Sequence, residues 1–153
     1  TRDVEKNIED YQFNKALNLI YEFTWHDFAD WYLEINKIPE FQNINLLKDT
    51  FRKIIILLHP FVPFITEKLW KGWGGRENPL IIEKWPKSNK KHTNKKSEKE
   101  FLIIQTFILE ARKKRVDRKI SPQEPLKMKI LKDNKTLWKH REIIERLGKT
   151  EII

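Results

Sequence analysis

A chain of 153 residues has the length of one ordinary domain, and six Trp and nine Phe give it ample apolar surface for a core. It has no Cys, which excludes a disulfide framework and a zinc–thiolate site and suits a cytoplasmic protein. The net charge of +9 is unevenly spread, with a balance of −3 over residues 1–83 and +12 over residues 84–153, which points a polyanion at the second half.

Periodicity predicts a first helix from about Val4 to Phe23, with Val4, Ile8, Tyr11, Leu17, Ile20 and Tyr21 inward. Thr24 reads as an N-cap, with Asp27 completing a capping-box-like start to a second helix that runs to about Asn36. On it Trp25, Phe28, Ala29, Tyr32 and Ile35 form an apolar stripe, and Asp27, Asp30 and Glu34 form an acidic one. Pro39 stops it. A third helix, about Asn45 to Leu58, places Leu47, Phe51, Ile54, Ile55 and Leu58 at helical spacing. Pro60 cannot continue that helix, whereas Pro63 suits the first turn of a fourth. The result is a fixed corner expected to carry Phe61 and Phe64 into a core, with Gly72, Gly74 and Gly75 ending the fourth helix and Leu80–Pro86 extended.

Lys84, Lys87, Lys90, Lys91, Lys95, Lys96 and Lys99 fall among Asn and Ser, so residues 87–99 read as a linker. A fifth helix is expected from about Ser97 to Arg118, with Phe101, Ile104, Ile108 and Ala111 inward and a basic end. Leu126 to Leu131 reads as a strand, Asn134 as the cap of a helix to Leu147 stopped by Gly148, and Glu151–Ile153 as another strand. The fold class is mainly α: a helical bundle over residues 1–120, then a small β-α-β appendage over 121–153.

No chemistry is legible in these residues. The acidic stripe reads as a solvated or ion-paired face, with Arg52 and Lys53 as its partners, rather than as an acid/base pair. His26, His59, His92 and His140 lack metal-site spacing, and Gly72–Gly75 lacks the form of a phosphate loop. The longest apolar run, Ile54 to Leu58, is too short to span a membrane. The only Met is Met128, so the chain reads as a piece of a longer protein.

The wording of three segments is more specific than their periodicity. His59 to Trp70 reads HPFVPFITEKLW, Leu19 to Glu34 reads LIYEFTWHDFADWYLE with Lys37 following, and Ile108 to Arg115 reads ILEARKKR with Pro122 and Pro125 beyond. Together they resemble the anticodon-binding domain of class I aminoacyl-tRNA synthetases, above all the valyl enzymes. In the third segment Ala111 stands where the family pattern favours Ile, so that match only supports the other two. The resemblance implies a helical bundle that grips tRNA, with Phe13, Asn14, Lys15, Trp25, Lys37, Arg112 and Arg115 as anticodon-loop contacts. Lys113, Lys114, Arg118 and Lys119 would anchor phosphates. Trp25 reads first as a core residue beside Phe28, and Trp31, Trp70 and Phe64 as core residues. The catalytic signatures of the family are absent. Hence no catalytic residue, metal or cofactor is expected here, and ATP and Mg²⁺ belong to the parent enzyme. The implied partners are a valine-accepting tRNA and the catalytic and editing domains of the same polypeptide, with no membrane. The matching domain of an isoleucyl or leucyl enzyme, or a helical protein-interaction module with a solubilising basic tail, stands as the alternative.

Overall fold

A computed structural model describes residues 1–73, 78–89, 93–121, 123–131 and 133–153. Gly74, Gly75, Lys90, Lys91, His92 and Pro122 lie outside them. The chain is mainly α and packs as two compact units, Thr1–Asn89 and Lys90–Ile153. The long basic helix packs against the strands and helices C-terminal to it, within the second unit.

In the first unit, α1 (Arg2–Glu9) and α2 (Phe13–Glu22) replace the single helix expected over 4–23. The break is a Schellman turn: Tyr11 N donates to Ile8 O at 3.0 Å and Gln12 N to Asn7 O at 2.7 Å, with Tyr11 at φ 58°. From α2 the chain runs straight into a π-helix, Phe23–Leu33, and the short α3, Glu34–Asn36. Without a new helix start, Thr24 caps nothing, and its hydroxyl is buried with no hydrogen-bond partner among the described residues. A π-helix bonds residues five apart, so its turn is wider than the 3.6-residue turn from which the apolar stripe was read. Phe28 and Trp31 are buried as a result, while Trp25 is turned outward.

Asn43 caps α4 (Ile44–Leu58) by accepting from Leu46 N at 3.0 Å. Ile54, Ile55, Ile56 and Leu57 are buried along it. Pro63 opens α5 (Pro63–Gly72) at its first position, as expected. The wording of the corner now has a physical explanation. Thr66, 1% exposed, sets its hydroxyl 2.8 Å from His59 Nδ1 and 2.9 Å from Val62 O. Glu67 Oε2 accepts from Leu80 N at 2.9 Å, and Trp70 Nε1 donates to Asn78 O at 3.2 Å. These bonds staple a 3₁₀ turn, Leu80–Ile82, back onto α5 where an extended segment was expected. Arg52 pairs with the nearly buried Glu83 at 2.7 Å and lies 5.8 Å from the Trp70 ring centroid.

The acidic stripe therefore has other partners than those expected. Lys53 pairs with Asp49, Glu34 with Lys37, and Asp30 lies near His26. The two phenylalanines of the corner also part company. Phe61 packs against the cluster of Val4, Ala16, Ile20 and Leu57, whereas Phe64 is 90% exposed and is no core residue. Trp70 is buried with Ile55, Ile56 and Leu80.

In the second unit, Asn94 accepts from Lys96 N and Ser97 N, both at 3.1 Å, and so starts α6 (Lys95–Asp117) inside the expected linker. Ile104, Ile108 and Ala111 face inward as expected. Strand β1 (Leu126–Met128) pairs in parallel with β2 (Thr150–Ile152), in register Leu126–Thr150 through Met128–Ile152. Between them the expected single helix is two, α7 (Lys135–Lys139) and α8 (Arg141–Gly148), separated at His140. Ala111, Leu126 and Met128 form this unit's buried cluster, with Phe107, Ile120 and Ile152 against it.

Candidate nucleic-acid interface

Several aromatic side chains of the first unit are exposed, and four of them pair with one another: Tyr11 with Phe13 and Tyr21 with Trp25. Tyr11 is 82% exposed and Phe13 50%, and their rings meet edge to face at 6.1 Å. The left-handed backbone at Tyr11 costs a non-glycine residue roughly 1 kcal/mol, so the turn holds out a large aromatic ring where a glycine would be easier. Around it lies an open concavity of about 320 Å³ lined by Tyr11, Gln12, Phe13, Asn14 and Lys15. It sits over the first turn of α2, where N–H groups and the helix dipole favour an anion, and Lys15 adds a full positive charge. Three of the sequence candidates, Phe13, Asn14 and Lys15, thus share one recess.

One face further along, Tyr21 and Trp25 stack with ring planes 7° apart and centroids 6.4 Å apart. They are 55% and 57% exposed. Trp25 is therefore not the core residue that its spacing suggested. Beside this pair His26 stands between Glu22, at 3.6 Å, and Asp30, at 3.5 Å. Lys37 is exposed and holds Glu34 at 2.5 Å. The half-buried Tyr32, by contrast, belongs to the fold: burial pushes its phenol up, and it donates weakly to Asn43 O at 3.4 Å.

In the second unit, the last two turns of α6 sort their cations by direction. Arg115 is 9% exposed. Its guanidinium donates to Ser121 O at 2.9 Å, Glu124 O at 2.6 Å and Gly148 O at 3.5 Å, and also to Lys149 O. One turn earlier Arg112 donates to Leu147 O at 3.3 Å. Both arginines thus meet the carboxyl end of α8, where unsatisfied carbonyls and the helix dipole favour a cation. The structure makes Arg115 a clamp on backbone carbonyls, with both Nη1 and both Nη2 hydrogens engaged. Arg112 is exposed but also serves the fold. Lys113, Lys114, Arg118 and Lys119 are exposed. A second Schellman turn, with Lys119 at φ 54° and Ile120 N donating to Arg115 O at 3.0 Å, ends the helix among them.

Sequence reasoning missed Tyr11 and Tyr21 by assigning both to a buried face of one long helix. The Tyr21–Trp25 spacing of four, which places side chains on one helical face, was the available signal. Among the described residues no group of three or more His, Cys, Asp or Glu could hold a metal ion, and no helix is long and apolar enough to cross a membrane.

Comparison with known proteins agrees with this geometry. Residues 1–130 match the family model described as the anticodon-binding domain of tRNA ligase. The valine–tRNA ligase of Pelagibacter ubique is 32% identical over 161 aligned positions, covering 95% of this chain and 18% of the relative. That of Borreliella burgdorferi is 34% identical over 117, covering 71% and 13%. That of Zymomonas mobilis is 41% identical over 96, covering 56% and 11%. The chain thus spans less than a fifth of the length of these curated relatives. With its helical units, its stapled proline corner and a family match running through most of its length, it belongs to the anticodon-binding domains of tRNA ligases.

Proposed function

We propose that the chain reads the anticodon arm of a valine-accepting tRNA on behalf of a valine–tRNA ligase. The observation that carries this reading is the pairing of exposed rings at the two ends of α2, Tyr11 with Phe13 and Tyr21 with Trp25. Anticodon bases are splayed, and splayed bases bind by stacking on aromatic faces and by hydrogen bonds along their edges. Phe13 and the Tyr21–Trp25 pair supply the faces, and Asn14 supplies a donor and an acceptor. Lys15 and Lys37 supply charge. In the second unit Arg112, Lys113, Lys114, Arg118 and Lys119 neutralise phosphates, which makes binding steeply salt-dependent.

RNA contact is assigned to residues 1–120, and residues 121–153 form an appendage held by the Arg115 clamp. The longer polypeptide, in the cytoplasm, would activate valine with ATP and Mg²⁺ and esterify it to the tRNA in its catalytic domain. A separate editing domain would hydrolyse mischarged tRNA. The part of this chain in those steps is selection of the tRNA.

The test is a titration of the chain with a valine-accepting tRNA and an unrelated tRNA at moderate salt. The valine acceptor should bind more tightly. Base stacking contributes about 1–3 kcal/mol per base, so Trp25→Ala should weaken binding roughly 5- to 150-fold with little change in melting temperature. Equal affinity for both tRNAs would leave only nonspecific electrostatics.

A further inference from the structure

The wide turn of the π-helix brings a carboxylate into the row of the Tyr21–Trp25 pair. Trp25 and Asp30 both lie within Phe23–Leu33, where backbone bonds run five residues apart, so Asp30 stands one turn beyond Trp25 on the same face. In an α-helix that place would fall to Ala29, whose side chain offers no hydrogen-bonding group. The Asp30 side chain is 54% exposed. Its Oδ2 lies 3.5 Å from His26 Nδ1, and Oδ1 takes no part in that contact. His26 in turn lies 3.6 Å from Glu22 through Nε2. The carboxylate of Asp30 is thus flanked by His26 through one oxygen and offers the other.

The charge around the pair says what this oxygen can accept. From Tyr21 to Glu34 the chain carries Glu22, Asp27, Asp30 and Glu34 and no Lys or Arg. A phosphate here would meet like charge, so the pair is a poor seat for an RNA backbone. An ionised carboxylate accepts hydrogen bonds and donates none. Parallel rings beside such a group suit a base that stacks on them and turns an N–H toward the carboxylate. Adenine and cytosine carry an exocyclic amine where hypoxanthine and uracil carry an oxygen. One free oxygen matches one such amine, whereas the paired N1–H and N2–H donors of guanine call for both.

Resting on the tRNA-reading function above, we propose that Asp30 determines which base the Tyr21–Trp25 platform takes. An anticodon-loop adenine or cytosine stacks on the rings and donates from its amine to Asp30 Oδ1. Hypoxanthine or uracil would set a carbonyl oxygen against the carboxylate, two acceptors with no hydrogen between them, and is rejected.

The experiment titrates the chain and its Asp30→Asn variant with a valine-accepting tRNA and with a series of altered copies. In each copy one anticodon-loop adenine is replaced by hypoxanthine, or one cytosine by uracil. At one position the unaltered chain should lose about tenfold in affinity. The amide introduced by Asp30→Asn can donate to an oxygen, so at that position the variant should bind the oxo base at least as tightly as the amino base. Trp25→Ala should erase the discrimination at the same position, because the base is no longer held against Asp30. The proposal is overturned if no position is sensitive, if Asp30→Asn changes every affinity by the same factor, or if the preference survives either substitution. Equal affinity of the unaltered chain for valine-accepting and unrelated tRNAs would remove the tRNA-reading function itself. Selective binding whose base preference ignores Asp30 would remove this proposal alone.

Discussion

Replacing Arg115 by Ala removes a side chain that joins the end of α6 to the end of α8 through four carbonyls: Ser121, Glu124, Gly148 and Lys149. A hydrogen bond to a charged group contributes roughly 1.5–3 kcal/mol, and the carbonyls left behind keep their desolvation penalty. The bonds share one guanidinium and do not add, so the loss should resemble that of breaking a buried charged network, about 3–5 kcal/mol. A unit the size of Lys90–Ile153 has about 3–10 kcal/mol of stability in all. The substitution should therefore unfold much of this unit and leave Thr1–Asn89 folded. Hydrogen exchange reads the two separately: amides of Leu126–Met128 and Thr150–Ile152 should lose protection while those of Ile54–Leu57 keep it. Arg115→Lys retains charge without the planar fork and should fall between. Wild-type protection of both strands in Arg115→Ala, with a loss below about 1 kcal/mol, would refute the clamp.

Substitutions at two further positions separate packing from recognition. At Gly148 an added Cβ would meet Thr150 Cγ2 at 3.2 Å and Ala111 Cβ at 3.9 Å; Ala gains up to about 1 kcal/mol of helix propensity over Gly and should come out near neutral. Gly148→Val cannot fit and should cost about 1–3 kcal/mol, read as a lower urea midpoint of the second unit. Tyr11→Gly relieves the left-handed backbone, worth roughly 1 kcal/mol. It should hold or raise the melting temperature of the first unit while weakening tRNA binding. Loss of stability without loss of binding would show that the Tyr11 ring serves the fold.

The mainly α class, α4 and its proline corner, the inward face of α6 and the two parallel strands were all legible in the chain. Each is decided by neighbours in sequence: apolar residues at 3.6 spacing, a proline without an N–H, an asparagine at a helix start. The break at Tyr11 was not legible, because a left-handed residue is announced by Gly or Asn and here is Tyr. Nor was the π-helix, whose wider turn rotates Trp25 out of the stripe read from sequence, although Trp31 is buried as expected.

For the site, sequence supplied the residue types and tertiary structure sorted them. Arg112, Lys113, Lys114, Arg115, Arg118 and Lys119 look alike as a cluster of cations. Only the approach of α8 directs Arg115 inward and leaves Lys113 and Lys114 to solvent. Phe61 and Phe64 likewise stand three residues apart in one motif, one packed against Val4 and Leu57 and the other bare. Propensity and pattern act through the local chain, so they fix which elements form. Burial depends on which distant surface arrives, so which side chains remain for an RNA is settled only when the elements pack.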